Sequence, residues 1–162
     1  MTIGEGAFDH DEDPRIEERL GQVAARCSEK RVQFTDIRRR ILRILLREGK
    51  AIGAYGILDR LKTGGVATHP PMAYRTLDFL VKHNFAHKIE HLNAFVACTH
   101  PCEDHAPAFV ICRKCHKVSE AVPGPMGRSL RKAARDNGLH VELTVMEAIG
   151  ICPDCQAQQP AP

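Results

Sequence analysis

Apolar residues recur every three or four positions in four segments of the first half of the chain, which predicts four helices. The predicted helices run from Pro14 to about Lys30, from Thr35 to Gly49, from about Ala54 to Lys62, and from Pro70 to about His83. Thr35 suits an N-cap, Gly49 a helix end and Pro70 a first turn. Residues 1–12 lack this periodicity and are predicted to form a disordered tail.

The segment after the fourth helix, Phe85–Cys98, alternates in the manner of β-strands. One face of the predicted strand carries Phe85, His87 and Ile89, and the other carries Ala86, Lys88 and Glu90. A turn is predicted near Leu92–Asn93, and a second strand, Ala94–Cys98, completes a β-hairpin. Helices followed by such a hairpin are typical of a winged helix, so residues 13–98 are predicted to be a winged-helix domain. A turn centred there places His87 directly opposite Cys98, with Cβ atoms about 5 Å apart.

A polar, proline-containing segment, 99–107, is predicted to be a hinge, and a second small domain, 108–156, follows it. Its pattern predicts strands at Phe109–Cys112 and Lys117–Ala121, a helix over about Pro125–Asn137, and a strand over His140–Ile149. Residues 157–162 are predicted to form a second disordered tail. The expected fold class is therefore α+β, with a winged helix joined to a small α/β domain that needs a metal or self-association for stability.

Charge is distributed unevenly along the chain, although the net charge is only +3. Residues 1–29 carry 3 basic and 8 acidic side chains, residues 30–88 carry 13 and 4, and residues 89–162 carry 7 and 8. The middle segment is thus +9, by subtraction of 4 from 13. A basic block of this size is typical of a nucleic-acid-binding domain, but a solvated helical surface has the same charge pattern.

The predicted fourth helix favours the first of these interpretations. Ala73, Leu77 and Leu80 share one face, whereas Tyr74 and Arg75 lie on another. Arginine can form two hydrogen bonds to guanine, and an aromatic ring can contact a thymine methyl group. Tyr74 and Arg75 are therefore the candidate DNA-binding residues.

Two CxxC pairs carry the strongest chemical signal in the chain. Cys112, Cys115, Cys152 and Cys155 supply four sulfurs, and two residues between cysteines allow both side chains of a pair to face one zinc ion. A redox pair or disulfides are the alternative interpretation. No secretory signal is seen in the sequence, so a reducing cytoplasm and a structural zinc site are expected. No apolar segment is long enough for a membrane span, so a soluble protein is expected.

A second group of metal donors lies between the two predicted domains. Cys98, His100, Cys102 and His105 fall within eight residues, close to His87 of the hairpin. The residues alone do not decide which of these side chains bind a metal.

The chain resembles the ferric uptake regulator family, most closely its zinc-sensing branch, from about Arg26 to Cys155. The resemblance rests on Tyr74–Leu80, Phe85–Glu90, Phe95–Cys98, Phe109–Cys112 with Cys115, and Glu147–Cys152 with Cys155. It implies that Cys112, Cys115, Cys152 and Cys155 hold a structural zinc ion. It also implies a regulatory zinc ion held by His87, Cys98, His105 and Glu120.

The resemblance further implies a zinc-responsive repressor and no enzyme activity, membrane or small-molecule substrate. Two zinc ions per chain, a homodimer and double-stranded operator DNA as partner are expected, with pairs of dimers on DNA left open. Zinc-uptake genes are the expected targets.

Three other functions are the alternatives to this one. An iron, manganese or peroxide sensor keeps the fold, but those metals favour imidazole and carboxylate ligands over the Cys98 thiolate. A zinc-dependent deaminase would use His140, Glu142, Cys152 and Cys155, but it would leave Cys112 and Cys115 without a role. A structural zinc adaptor without DNA binding does not account for the basic block.

Overall fold

The computed structural model describes residues 13–100, 107–121, 124–142 and 144–158. The chain divides into two compact units, Met1–Cys102 and Glu103–Pro162. The first unit contains α1 (Pro14–Glu29), α2 (Asp36–Glu48), α3 (Ala54–Thr63), α4 (Pro70–Lys82), β1 (Ala86–Ile89) and β2 (Ala94–Ala97). The second contains β3 (Ala108–Cys112), β4 (Val118–Ala121), α5 (Gly124–Asp136), β5 (Met146–Gly150) and α6 (Pro153–Ala157). The predicted N-terminal tail, 1–12, lies outside the described residues, and so do residues 159–162 of the predicted C-terminal tail.

The four predicted helices of the first unit are confirmed to within one or two residues. The Asp13 carboxylate accepts a hydrogen bond from the Arg15 amide at 2.9 Å and so caps α1. Gly49 ends α2 in the left-handed conformation, with φ 59°. Thr35 occupies the N-cap of α2, although its side chain makes no capping hydrogen bond.

One core holds the first unit together, because each helix turns an apolar face toward it. Buried members come from every helix and from the hairpin: Leu20, Val23, Cys27, Ile41, Leu42, Leu45, Ile57, Leu58, Leu61, Ala73, Leu77, Leu80, Phe85 and Phe95. Cys27 is a core residue, and burial raises the pKa of its thiol.

The hairpin register differs from the prediction. β1 and β2 pair antiparallel with Ala86 opposite Ala97 and His87 opposite Val96. The Asn93 amide donates to the Glu90 carbonyl at 3.2 Å, so the turn centres between His91 and Leu92, one position earlier than predicted. The prediction that His87 lies directly opposite Cys98 is therefore wrong, because that shift moves every partner by two residues.

The second unit is a three-stranded sheet in the order β4-β3-β5, with β3 antiparallel to β4 and parallel to β5. Phe109 and Ile111 of the central strand are buried. The last strand is shorter than the predicted His140–Ile149. β5 begins at Met146, whose partner Ala108 is the first residue of β3. None of the helices in the described ranges has the length and apolar character to cross a bilayer.

Candidate metal centres and nucleic-acid interface

The four cysteines of the second unit meet at one point. Cys112 ends β3, Cys115 follows in a turn, and Cys152 and Cys155 lie at the start of α6, just after β5. Because β3 and β5 are parallel neighbours, their carboxyl ends bring both pairs to the same edge of the sheet. All four sulfur atoms lie within 4.8 Å of one another, and the Sγ atoms of Cys115 and Cys152 are 3.7 Å apart. Sulfurs around a tetrahedral zinc ion are separated by about 3.8 Å, given a Zn–S distance of about 2.3 Å.

The electrostatics of this cluster also suit a cation. Hydrogen bonds from the backbone amides of Cys115 and Cys152 lower the pKa of the Cys112 thiol to about 6, so it carries negative charge at neutral pH. The pKa of the Cys155 thiol is raised to about 12, first by its hydrogen bond with the Cys152 side chain and then by burial. A doubly charged ion would relieve the repulsion that keeps neighbouring thiols protonated, so the donor set fits zinc.

A histidine and a cysteine meet in the first unit, beside the wing hairpin. His87 lies on β1 and Cys98 directly follows β2, with 6% and 3% of their surfaces exposed. Cys98 is two positions beyond Val96, the strand partner of His87, so the two side chains are diagonal neighbours on one face. Their ligand atoms lie within 4.8 Å of each other. The expected proximity is thus present, although the register used to predict it is not.

Of the other predicted donors, Glu120 belongs to the second unit and His100 to the first. Glu120 lies on β4, opposite Phe109, with a half-buried side chain. Nδ1 of His100 lies 2.9 Å from the Thr99 hydroxyl oxygen, and the His100 amide donates to the Cys98 sulfur at 3.3 Å. His105 and Cys102 lie outside the described residues. In the described part of the chain, neither His140 nor Glu142 belongs to a group of metal donors, so Cys152 and Cys155 lie with Cys112 and Cys115 and not with a deaminase-like pair.

Helix α4 presents the predicted DNA-binding face. Ala73 and Leu77 are buried on one side, whereas Tyr74 is 43% exposed and Arg75 is also exposed on the other. Nε of Arg75 donates to the Pro71 carbonyl at 3.4 Å, a long hydrogen bond that leaves the rest of the guanidinium toward solvent.

The orientation of α4 has a support that the sequence did not reveal. The guanidinium carbon of Arg38, on α2, lies 3.5 Å from the centre of the Phe79 ring on α4. The Phe79 ring also lies 4.4 Å from that of His83. Burial lowers the pKa of His83, so this ring is neutral at pH 7. No spacing rule connects Arg38 with Phe79, because they lie on different helices.

A winged helix with an exposed Tyr-Arg pair, followed by a small sheet closed by four cysteines, defines a class of two-unit winged-helix proteins with a metal-binding C-terminal unit. No family model matches the chain. A zinc uptake regulation protein of Escherichia coli (strain K12) is 33% identical over 141 residues, which are 86% of this chain and 82% of that protein.

Two solved structures extend this likeness. A zinc uptake regulator complexed with zinc and DNA has a TM-score of 0.84 and 32% identity, covering 88% of this chain and 95% of the other. Holo XcZur has a TM-score of 0.79 and 36% identity, covering 86% and 98%. The chain belongs to the zinc uptake regulator family, within the wider group of ferric uptake regulators, as its motifs predict.

Proposed function

We propose that the chain is a zinc-responsive transcriptional repressor that binds operator DNA as a zinc-loaded homodimer and represses zinc-uptake genes. Its relative in E. coli is named for zinc uptake regulation, and a similar structure is a regulator complexed with zinc and DNA. The cytoplasm, where DNA is accessible and thiols stay reduced, is the proposed compartment. The proposal includes no enzymatic activity.

One observation carries this proposal. The same compact unit exposes Tyr74 and Arg75 on α4 and buries His87 beside Cys98 at its hairpin. Buried thiols and imidazoles next to each other are typical of metal sites, because metal binding compensates for the lost hydration of both groups. A metal-binding pair within a DNA-reading unit links metal concentration to DNA binding.

The proposed structural zinc site consists of Cys112, Cys115, Cys152 and Cys155. The 4.8 Å limit on all sulfur separations and the lowered pKa of Cys112 support this assignment. Such a site is closed, because four protein ligands complete the tetrahedron, and it contributes directly to folding.

The proposed regulatory site consists of His87, Cys98, His105 and Glu120. The closeness and burial of His87 and Cys98 support its first half, and the family pattern supports His105 and Glu120. Ligands from both units give this ion a different role from the structural one. By holding the hinge between them, a bound ion would favour the dimer geometry that fits two half-sites about one helical turn apart.

The proposed DNA contacts are made by the exposed face of α4. Arg75 can form two hydrogen bonds with guanine, and Tyr74 can contact a thymine methyl group in the major groove. The basic segment 30–88 supplies the long-range attraction to phosphates.

The proposed dimer uses the second unit. This unit exposes several large apolar side chains, which an isolated small sheet would leave in contact with water: Val110, Met126, Leu130, Leu139, Val145 and Ile149. Pairs of dimers on one operator are a further part of the proposal.

The choice of zinc over iron or manganese rests on Cys98, because thiolate ligands favour zinc. A gel-shift titration tests it directly. The protein is first stripped of metal at its regulatory site. Its affinity for operator DNA should then increase when zinc is added and change little when manganese or ferrous iron is added under anaerobic conditions. Tightening by manganese or ferrous iron, without a response to zinc, would contradict the proposed signal.

A further inference from the structure

A side chain of α1 reaches the segment that follows Cys98. Nη2 of Arg19 donates a hydrogen bond to the Thr99 carbonyl oxygen, 80 residues further along the chain. The bond is exposed to solvent, and it joins two segments that are far apart in the sequence. The first residue of the predicted hinge is therefore attached to the first helix.

The segment from Cys98 to His100 depends on such bonds, because β2 ends at Ala97. The Cys98 amide donates to the Phe85 carbonyl at 3.0 Å, and the His100 amide donates to the Cys98 sulfur at 3.3 Å. The hydrogen bond from Arg19 fixes the Thr99 carbonyl, which lies between the Cys98 and His100 amides along the chain. Together they determine the direction in which the Cys98 sulfur points.

Helix α1 is a firm support for that bond. Leu20, the residue after Arg19, is fully buried in the core. Earlier in α1, one carboxylate oxygen of Glu17 accepts two hydrogen bonds from Arg43 of α2, at 3.0 Å and 2.8 Å. A side chain that starts from this helix can hold the Thr99 peptide in one place.

We infer that Arg19 is a positioning residue for the metal site at His87 and Cys98. It contacts the backbone that orients the Cys98 thiolate and does not itself bind the ion. This inference rests on the proposed function, which makes Cys98 a zinc ligand. Groups that orient metal ligands commonly change metal affinity by about 10- to 100-fold, so Arg19 should have a measurable effect.

Three variants test this inference in the full-length protein. Arg19→Met keeps a long side chain suited to a helix but removes every donor, whereas Arg19→Lys keeps a charged donor. Arg15→Met is the matched control, since Arg15 and Arg19 line the same surface cleft beside α2. Zinc affinity of the exchangeable site is measured by chelator competition. Cobalt(II) is added alone in a parallel series to protein whose four-cysteine site retains zinc, so that the sulfur-to-metal absorption band of the exchangeable site reports on Cys98.

Arg19→Met should weaken zinc at the exchangeable site about tenfold and reduce the cobalt–sulfur band of that site. Arg19→Lys should recover most of the affinity, and Arg15→Met should match the wild type. The tightly bound zinc and the unfolding temperature should not change, which separates positioning from a general loss of structure. Wild-type zinc affinity in Arg19→Met, or an equal loss in Arg15→Met, would overturn the inference.

A fourth variant separates this inference from the proposed function. If Cys98→Ser keeps the exchangeable zinc ion, Cys98 is not a ligand, and the proposed regulatory site and the role of Arg19 both fail. If Cys98→Ser loses that ion but Arg19→Met does not weaken it, only the role of Arg19 fails.

Discussion

At the scale of single residues, the proposed metal-sensing and DNA-binding roles fall on different side chains of one unit. Cys98 is buried next to His87, and Arg75 projects from the far side of a helix whose opposite face is in the core. Because Arg75 is exposed on α4 and Cys98 follows the hairpin next to His87, substitution of either one should affect one proposed role directly and leave the fold of the unit intact.

Arg75→Ala should weaken operator binding by about 1–3 kcal/mol, because a bidentate contact to a base is lost. Zinc content should not change. Quantitative gel shifts with the operator and with unrelated DNA of equal length measure the effect. Equal weakening on both DNAs would show that Arg75 contacts phosphates and not bases.

Cys98→Ser should abolish the response to zinc while leaving the chain folded, because a serine hydroxyl is a poor zinc ligand at neutral pH. If about 1% of zinc-free dimers have the DNA-binding geometry, the lost response is about 100-fold in operator affinity, or ~2.7 kcal/mol. Gel shifts at saturating zinc provide the measurement, and circular dichroism provides the control for folding. A zinc response of normal size in this variant would remove Cys98 from the sensor.

Single residues also mark the limit of what the sequence predicts. The Tyr74 and Arg75 face and both CxxC pairs follow from local spacing, since helix period and knuckle spacing are local rules. Arg19 could not be found in this way. Its partner is a backbone carbonyl 80 residues away, and no residue type at position 99 is required for that bond.

At the scale of secondary-structure elements, capping residues determine where the helices begin and end, whereas the length of the neighbouring strand determines where a strand begins and ends. Asp13 and Gly49 act within one turn, so α1 and α2 begin and end close to their predicted positions. The hairpin register and the start of β5 depend on a turn and on a neighbouring strand, and both were predicted incorrectly. Periodicity identifies strands, but pairing decides their ends and partners.

Two glycine substitutions should have opposite effects on the stability of the first unit. Gly49→Ala should destabilise it by about 1 kcal/mol, because φ of 59° is unfavourable for alanine. Gly21→Ala lies inside α1 with no atom within 4 Å of the added methyl group, so it should stabilise by about 0.5–1 kcal/mol. Thermal unfolding of the zinc-loaded protein measures both. Shifts of the same sign would contradict the assigned conformations.

Cys112→Ser should unfold the second unit and release the tightly bound zinc, because the three cysteines that remain in the two CxxC pairs bind the ion far more weakly than four do. Limited proteolysis with elemental analysis measures this loss. Cys27→Ala is the matched control: Cys27 is buried in the core of the first unit and is not a member of the four-cysteine group, so zinc content should be unchanged. Retention of full zinc in Cys112→Ser would remove this residue from the structural site.

At the scale of the whole molecule, the account depends on two zinc sites with different tasks. The proposed four-cysteine site should contribute to folding and stay occupied at all physiological zinc levels. The site at His87 and Cys98 should fill and empty as zinc changes, and so couple zinc to DNA binding through the dimer geometry. Family motifs predicted this division of tasks, while the basic block alone left a solvated surface open as an alternative.

Zinc stoichiometry measured together with operator binding, over a series of buffered zinc concentrations, tests the central claim most directly. The account predicts two zinc ions per chain, one retained at every concentration, and operator binding that rises in step with occupancy of the second. Operator binding that is already complete with one ion per chain, or that does not follow the second ion, would contradict it.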